Sequence, residues 1–513
     1  MMRLVDAGRE HRVRRLQSGM TQTAGSVSYA SPAGRWVLLA TVLGSGVAML
    51  DGTVVNVALP TIGRDLHERF AGLQWTVNAY TLTLAGFLLL GGSLGDRLGR
   101  RKVFVVGVAW FTVASVLCGL APNGGVLIAA RALQGVGGAL LVPGSLALIE
   151  ASFRVQDRPA AVGAWSGLGG VATAIGPLLG GWLVGFSWRY VFLINLPLAA
   201  VVIWVTLRHV PESRDQSVTG RLDLAGPALA AAGLAGVTWA LTEGPGLGWG
   251  APGVLIPGAA GVLALIALLP VERSAAQPML PLGIFRNRQF SAANVVTFVI
   301  YAALGGGLFL LPIELQRVLH FSALASGAAL VPLTIVMLLL SARAGRLAQR
   351  TGPRLPMTAG PLIAAAGLAL MSRIGPGATY LTVVLPAVIV FAIGLALTVA
   401  PLTSTVLGAA GSDHAGVASA INNEVARVGA LLAVAVLPAA AGISGAAVLT
   451  PAAFSAGYRT AVLIAAGLCA AGGLLSLAFI RIPLTPAAKP QRQDVTCAIG
   501  APPLRSQADK AAR

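Results

Sequence analysis

The sequence predicts an all-α membrane protein of fourteen helices, on three observations. The chain has 513 residues, 56% of them hydrophobic and only 11% charged, with a mean hydropathy of +0.80. An average soluble domain carries about 25% charged residues. The apolar residues are gathered into runs near the ~20 residues that a helix needs to cross hydrocarbon. One loop between these runs recurs farther along the chain, which implies a duplicated unit.

Residues 1–34 are polar and basic and lack a short apolar core followed by a small-residue cleavage site, so they read as a cytoplasmic N-terminal arm. Six spans follow, at 35–58, 73–94, 103–121, 124–149, 160–185 and 190–207. The segment 208–289 is a linker holding two more, 222–242 and 252–270, both dense in Gly and Pro, which membrane helices tolerate. The last six are 290–314, 322–341, 355–373, 380–407, 417–441 and 459–480. Residues 481–513, rich in Pro, Ala and charge, read as a disordered cytoplasmic tail.

Charge placement tests the count, because short cytoplasmic loops collect Lys and Arg. With the N-terminus inside, the outer loops hold only Arg64, Arg69, Arg189, Arg317, Arg373 and Arg459 of the 36 basic residues. A missed or invented span would invert the bias beyond it, and no inversion occurs. Both termini are therefore expected in the cytoplasm.

The repeated loop reads GSLGDRLGRR at 92–101 and GRLAQRTGPR at 345–354, with identity at Gly92/Gly345, Leu94/Leu347, Arg97/Arg350, Gly99/Gly352 and Arg101/Arg354. The copies follow spans 2 and 10. A six-helix unit has been duplicated with spans 7 and 8 inserted, giving bundles at 35–207 and 290–480. Repeat-built transporters hold substrate near mid-membrane between such halves.

Several other functions lose support. The net charge of +18 would suit nucleic-acid binding only if clustered on one face, and here it is spread over short loops. Cys118, Cys469 and Cys497 form no CxxC pair, and the five histidines have no metal-ligand spacing. No metal or cofactor is expected. Lysine occurs only at 102, 489 and 510, so the chain has no GK[ST] phosphate loop, and unless a separate ATPase subunit docks, energy must come from an ion gradient or a downhill flow. The glycines at 167–170 follow no strand and lie in a span, which argues against dinucleotide binding.

Charges inside the spans are the functional signal, since an ionisable residue at bilayer depth is costly. Asp51 lies in span 1 and Arg131 in span 4. If span 1 ends near residue 58, both lie roughly 10 Å from the same membrane face, at 1.5 Å per residue. They are expected to pair, with Gln134 as a neighbour on the Arg131 face. Glu424 and Arg427 share a face of span 13, where they either neutralise each other or leave Glu424 to meet a cationic substrate or carry a second proton. Asn56, Trp75, Asn78 and Tyr80 complete the expected substrate cavity with Gln134, Glu424 and Arg427.

Taken together, LDGTVVNVALP in span 1, GSLGDRLGRRK after span 2, RALQGVGGA in span 4, GPLLGG in span 5 and WRYVFLINLP entering span 6 resemble the major facilitator superfamily, in its fourteen-helix drug:proton antiporter branch. The resemblance covers about 35–480. It implies two six-helix bundles plus two inserted central helices. It also implies proton coupling through Asp51 and Arg131, and a cytoplasmic gating loop of Gly92, Asp96, Arg97, Gly99 and Arg100. Gly176, Pro177, Gly180 and Gly181 form the small-residue motif that marks antiporters in that family, and they allow close helix packing. The second loop copy carries Gln349 in place of Asp96, so its gate is expected to be weaker.

The implied function is proton-coupled export of amphipathic small molecules by a monomer in the bacterial cytoplasmic membrane, with lipid, protons and substrate as its partners and no nucleic acid. An ion-coupled uptake carrier is the alternative, with GPLLGG against it. A membrane-embedded enzyme or receptor has no catalytic constellation at membrane depth to support it. Drug, antibiotic and self-made metabolite are indistinguishable as substrates at this level.

Overall fold

A computed structural model describes residues 27–214, 223–275, 280–410, 415–443 and 450–480. Most of the predicted arm and all of the predicted tail, 481–513, lie outside the described residues. All fourteen predicted spans are present as helices long and apolar enough to cross a membrane. They are α1 Pro32–Asp65, α2 Phe70–Leu98, α3 Arg100–Gly119, α4 Gly124–Ser152, α5 Arg158–Val184, α6 Tyr190–His209, α7 Ala225–Leu247, α8 Pro252–Ser274, α9 Arg288–Arg317, α10 Ala323–Thr351, α11 Arg354–Met371, α12 Tyr380–Ala410, α13 Ala415–Ala440 and α14 Pro451–Phe479.

Side-chain caps fix several starts: Ser31 accepts from Gly34 N–H, Asn123 from Val126 N–H and Asn287 from Gln289 N–H. Prolines place the breaks. Pro197 offers no N–H to the Leu193 carbonyl, and α6 is interrupted at Ile194; Pro332 does the same to α10 beyond Ala328. The interruption in α6 stands next to Asn195, which proves important below.

Three boundaries differ from the sequence reading. The first helix continues to Asp65, because no residue breaks it before His67, which adopts a left-handed φ of 54°. Asp51 therefore stands about 21 Å from that end, not 10 Å. The two repeated segments are mostly helical, each turning at a single glycine, Gly99 at φ 113° and Gly352 at φ 82°, a region that favours residues without Cβ. Arg459 lies within α14, which begins at Pro451, and not in a loop.

The two halves repeat one packing scheme. Within the first, α1 packs on α5 and α6, α2 on α4, and α3 on α4 and α6; within the second, α9 packs on α13 and α14, α10 on α12, and α11 on α12 and α14. Of the inserted pair, α8 rests on α7, and α7 contacts both α2 and α13. Close approach at Gly86, where an added Cβ would stand 2.7 Å from Ala231 Cβ, holds α7 against α2.

The cores reveal an asymmetry between the two ends. At the end bearing the α1–α2 and α9–α10 loops, one continuous apolar cluster includes Leu59 and Ile62 of the first half and Leu311 and Leu315 of the second. At the opposite end there are two separate clusters, one around Phe104 and Phe111 and the other around Phe290 and Ile300. Hydrogen bonds cross between halves at the fused end: Gln74 Nε2 donates to the Val434 carbonyl at 2.7 Å, and Gln316 Nε2 donates to the Val57 carbonyl at 2.9 Å. The halves are thus sealed at one end and carry separate cores at the other.

The orientation is testable with single cysteines. Pro376, between α11 and α12, and Gln349, near the end of α10, are both exposed and at opposite ends of the helices. A cysteine replacing Pro376 is expected to react with an impermeant thiol reagent applied to intact cells, and one replacing Gln349 is not. The reverse pattern would overturn the proposed sidedness.

Candidate functional site

A fully buried ion pair lies inside the first half. Arg131 Nη1 stands 2.5 Å from Asp51 Oδ2, and the two side chains are 1% and 0% exposed. The longer α1 does not prevent the meeting, because α1 and α4 pack directly on one another. Arg131 also donates through Nε to the Thr76 carbonyl at 3.0 Å and through Nη1 to Gln134 Oε1 at 2.6 Å. Its guanidinium carbon lies 4.3 Å from the Tyr80 ring centroid, within the range of cation–π attraction.

The other oxygen of Asp51 is held by two amides. Oδ1 accepts from Gln134 Nε2 at 2.9 Å and from Asn195 Nδ2 at 3.2 Å. Both amides also donate to Ser115 Oγ, which donates in turn to the Phe192 carbonyl. Helices α1, α3, α4 and α6 thereby meet in one buried polar layer. Removing either partner of such a pair strands a charge, at a cost of about 3–5 kcal/mol. The network therefore holds the pair against that penalty for as long as it stays closed.

Asn195 and Ser115 are site residues that the sequence reading missed. Asn195 had a signal, an amide inside the otherwise apolar stretch of WRYVFLINLP. Ser115 had none, since a lone serine in a span is usually bonded to its own helix. Conversely, the structure places Gln134 and Tyr80 around the ion pair and not among the residues lining the cavity.

That cavity, about 170 Å³, lies between the halves beneath the sealed end. It is lined by Gly52 and Asn56 of α1, Asn78 of α2, Tyr301 and Phe309 of α9 and Leu431 of α13, among others. Both side-chain heteroatoms of Asn78 and Asn56 Oδ1 have no hydrogen-bond partner, so three polar atoms are unengaged in and around an otherwise apolar chamber. Asp51 is adjacent to Gly52 on α1, but its carboxylate points into the first half. Trp75 is a correction: its Nε1 donates to Glu243 of α7 at 2.9 Å and its ring packs 5.6 Å from Trp239. It anchors the inserted helix and does not line the cavity.

Glu424 and Arg427 fall on the helix face that continues to Leu431, toward the unsealed end. Among the described residues no ion pair joins them, and Glu424 Oε2 and Arg427 Nε have no hydrogen-bond partner. The contact pair considered from sequence is absent from this conformation, although the Arg427 charge still acts on Glu424.

The GPLLGG stretch of α5 serves two interfaces. An added Cβ on Gly180 would stand 2.9 Å from the Val54 carbonyl of α1, and Gly176 lies against Thr53. One on Gly181 would stand 2.7 Å from Leu324 Cα of α10, and the Pro177 carbonyl lies against Gly327. The motif thus packs α5 on its own half and on the other half at the sealed end.

In the repeated segment after Gly92, Asp96 pairs with Arg100 at 2.8 Å, and Arg97 lies in the last turn of α2. Glu212, beyond α6, accepts from the N–H groups of Arg101 and Lys102 and stands 3.8 Å from Arg101 Nε. The pairs seen among the described residues lie within the first half and the linker.

Comparison with known proteins agrees with this architecture. The family model for the Major Facilitator Superfamily matches residues 41–434. The chain is 38% identical over 407 residues to the puromycin resistance protein of Streptomyces alboniger, covering 78% of this chain and 80% of that one. It is 36% identical to the methylenomycin A resistance protein of Bacillus subtilis, covering 81% and 89%. It is also 36% identical to the tetracenomycin C resistance and export protein of Streptomyces glaucescens, covering 82% and 78%. Among solved structures, a peptide transporter of the POT type superposes with a TM-score of 0.66 at 14% identity, covering 89% of this chain and 96% of that one. A bacterial homologue of the lysosomal transporter Spinster, captured inward-facing and unoccupied, gives 0.63 at 18%, covering 88% and 98%. These likenesses and the duplicated six-helix packing lead to one conclusion: the chain belongs to the Major Facilitator Superfamily.

Proposed function

We propose that this transporter is a proton-coupled antiporter, exporting amphipathic small molecules from the bacterial cytoplasm. The observation that carries the reading is the placement of α1. One side of this helix lines the cavity between the halves, through Gly52 and Asn56, and the next residue, Asp51, enters the sealed ion pair. A substrate seated against this face holds α1 where the pair is closed and Asp51 charged, so binding and protonation oppose one another. Relatives named for resistance to three different antibiotics support an exporter of drug-like molecules.

The physics of the cycle follows from burial. With the pair closed, the Asp51 anion is met by Arg131, Gln134 and Asn195. When α1 and α4 part, a bare carboxylate in an apolar surround is costly and must be wetted or neutralised. A proton from the outer solution neutralises it, and restoring the pair on the inner side expels that proton. Each inward proton contributes about 2.3 kcal/mol per 100 mV of membrane potential. At 1.4 kcal/mol per tenfold, this sustains a substrate gradient of roughly fifty-fold.

In this reading the protein works as a monomer with both termini in the cytoplasm. The sealed end faces outward, and the Asp96–Arg100 segment gates the inner end. Rocking of the six-helix halves exchanges the sealed and open ends, with α7 following both.

Two variants test the proposal. Asp51→Asn imitates a permanently protonated residue and is expected to abolish accumulation of puromycin or ethidium against a gradient while leaving downhill exchange in reconstituted vesicles. If Asp51 only holds Arg131 for packing, surviving molecules of the variant will still pump uphill. Gly181→Leu forces a side chain between α5 and α10 at the sealed end. It is expected to insert normally, lower transport at least tenfold and raise outer accessibility of the cavity; wild-type transport would remove the seam from the mechanism.

A further inference from the structure

A second buried acid lies outside the Asp51 network. Glu314, near the end of α9, is fully buried. Its Oε1 accepts from Ser455 Oγ of α14 at 2.6 Å, while its Oε2 has no hydrogen-bond partner. The Tyr458 hydroxyl, one turn farther along α14 and also fully buried, is likewise unpartnered. None of the ion pairs found among the described residues includes Glu314.

The charged and titratable groups on the elements packed against α9 are these. Helix α1 carries Arg35, Asp51, Arg64 and Asp65, α13 carries Glu424 and Arg427, α14 carries Tyr458, the exposed Arg459 and the buried Cys469, and the short turn Leu282–Arg286 carries Arg286. Helix α12 carries Tyr380, and α10 carries Arg343, Arg346 and Arg350 toward its other end. Arg317 follows one turn along α9, and His320 lies in the loop beyond it.

The position of Glu314 bears on the seal. Its chain neighbours Ile313 and Leu315 belong to the core that fuses the halves, and Gln316 reaches across to the Val57 carbonyl. While this end is closed, Glu314 has one hydroxyl donor and no exposed surface, conditions that suit a neutral carboxyl and penalise an anion. Its carboxyl faces α14, where Phe454, next to Ser455, packs 6.2 Å from Phe70 of α2, so parting the halves at that contact would admit water, in which the anion is well solvated.

We propose that Glu314 is a proton-operated latch of the outer end, taking a proton from outer water before closure and returning it to outer water on opening. The proton binds the carboxylate directly, and no other reactant is involved. Because the closed form holds the proton better than the open one, outer acidity favours closure by linkage. The latch orders the cycle so that the outer end seals only after protons have been met outside. This inference rests on the alternating-access reading given above.

The test needs no substrate. Leu59, fully buried on the Gly52–Asn56 face of α1, is replaced by cysteine in the full-length protein, and labelling by an impermeant maleimide is followed from outside in right-side-out vesicles. With Glu314 present, the labelling rate, divided at each pH by that of a cysteine at the exposed Pro376 so that thiolate formation cancels, is expected to rise with outer pH, by up to about tenfold per pH unit, the slope of a single site. Glu314→Gln is expected to give low labelling without that slope, and Glu314→Asp to keep it. A Gln variant with the parent slope would overturn the latch. Should the Gln variant fail to insert, Ser455→Ala keeps the carboxyl and removes its donor, so the midpoint must move; an unchanged midpoint overturns the proposal. Asp51→Asn is expected to retain the slope. Loss of the slope there, with retention in Glu314→Gln, would overturn the latch and leave the transport reading standing, whereas no labelling at any pH would overturn both.

Discussion

A carboxylate and a guanidinium buried together in the first half set the terms for much of the structure around them. Neither Asp51 nor Arg131 could be carried at that depth alone, and the pair requires hydrogen-bond partners for its own polar atoms. Gln134, Asn195 and Ser115 meet that requirement from three different helices. Their convergence needs close helix approach, which the glycines after Arg131 allow. An added Cβ at Gly135 would stand 3.0 Å from Leu84 N of α2, and one at Gly137 would stand 2.6 Å from Phe111 N of α3. The RALQGVGGA motif therefore joins a charge to the small residues that let its partners reach it.

The seam between the halves is built differently. It is apolar, closed at one end only, and stitched by side-chain amides donating to carbonyls, such as Gln74 to Val434 and Gln316 to Val57. Such contacts can be broken without stranding a charge. The ion pair belongs to a single half, so the halves can separate without first dismantling it, and the α1 face beside the cavity links the two events. Helix α7 bridges the joint: Leu234 packs with Leu82 and Ala85 of α2 and Leu431 of α13, and Glu243 receives the Trp75 indole.

Much of this was legible in the sequence where a residue conflicted with its surroundings. Fourteen spans followed from apolar runs and loop charge, and Asp51 and Arg131 stood out because charge in an apolar run is hard to explain otherwise. Asn56 and Asn78 were placed beside the cavity by the same logic. Helix periodicity gives the face of a helix but not the neighbour it meets, so Trp75 could not be assigned to α7, nor Tyr80 and Gln134 to the ion pair. The ends of α1 and α10 were misjudged because helices run past the hydrocarbon until the backbone is interrupted. Glu314 was hidden by its position at the edge of the ninth predicted span, where an acid reads as a boundary.

The central claim is that substrate binding and the protonation of Asp51 exclude one another. The most direct measurement is proton release from purified, weakly buffered transporter when ethidium or puromycin is added, read with a pH-indicator dye. Wild-type protein is predicted to release protons in proportion to bound substrate, and a folded Asp51→Asn variant that still binds the probe is predicted to release none. Equal release from both proteins would contradict the account.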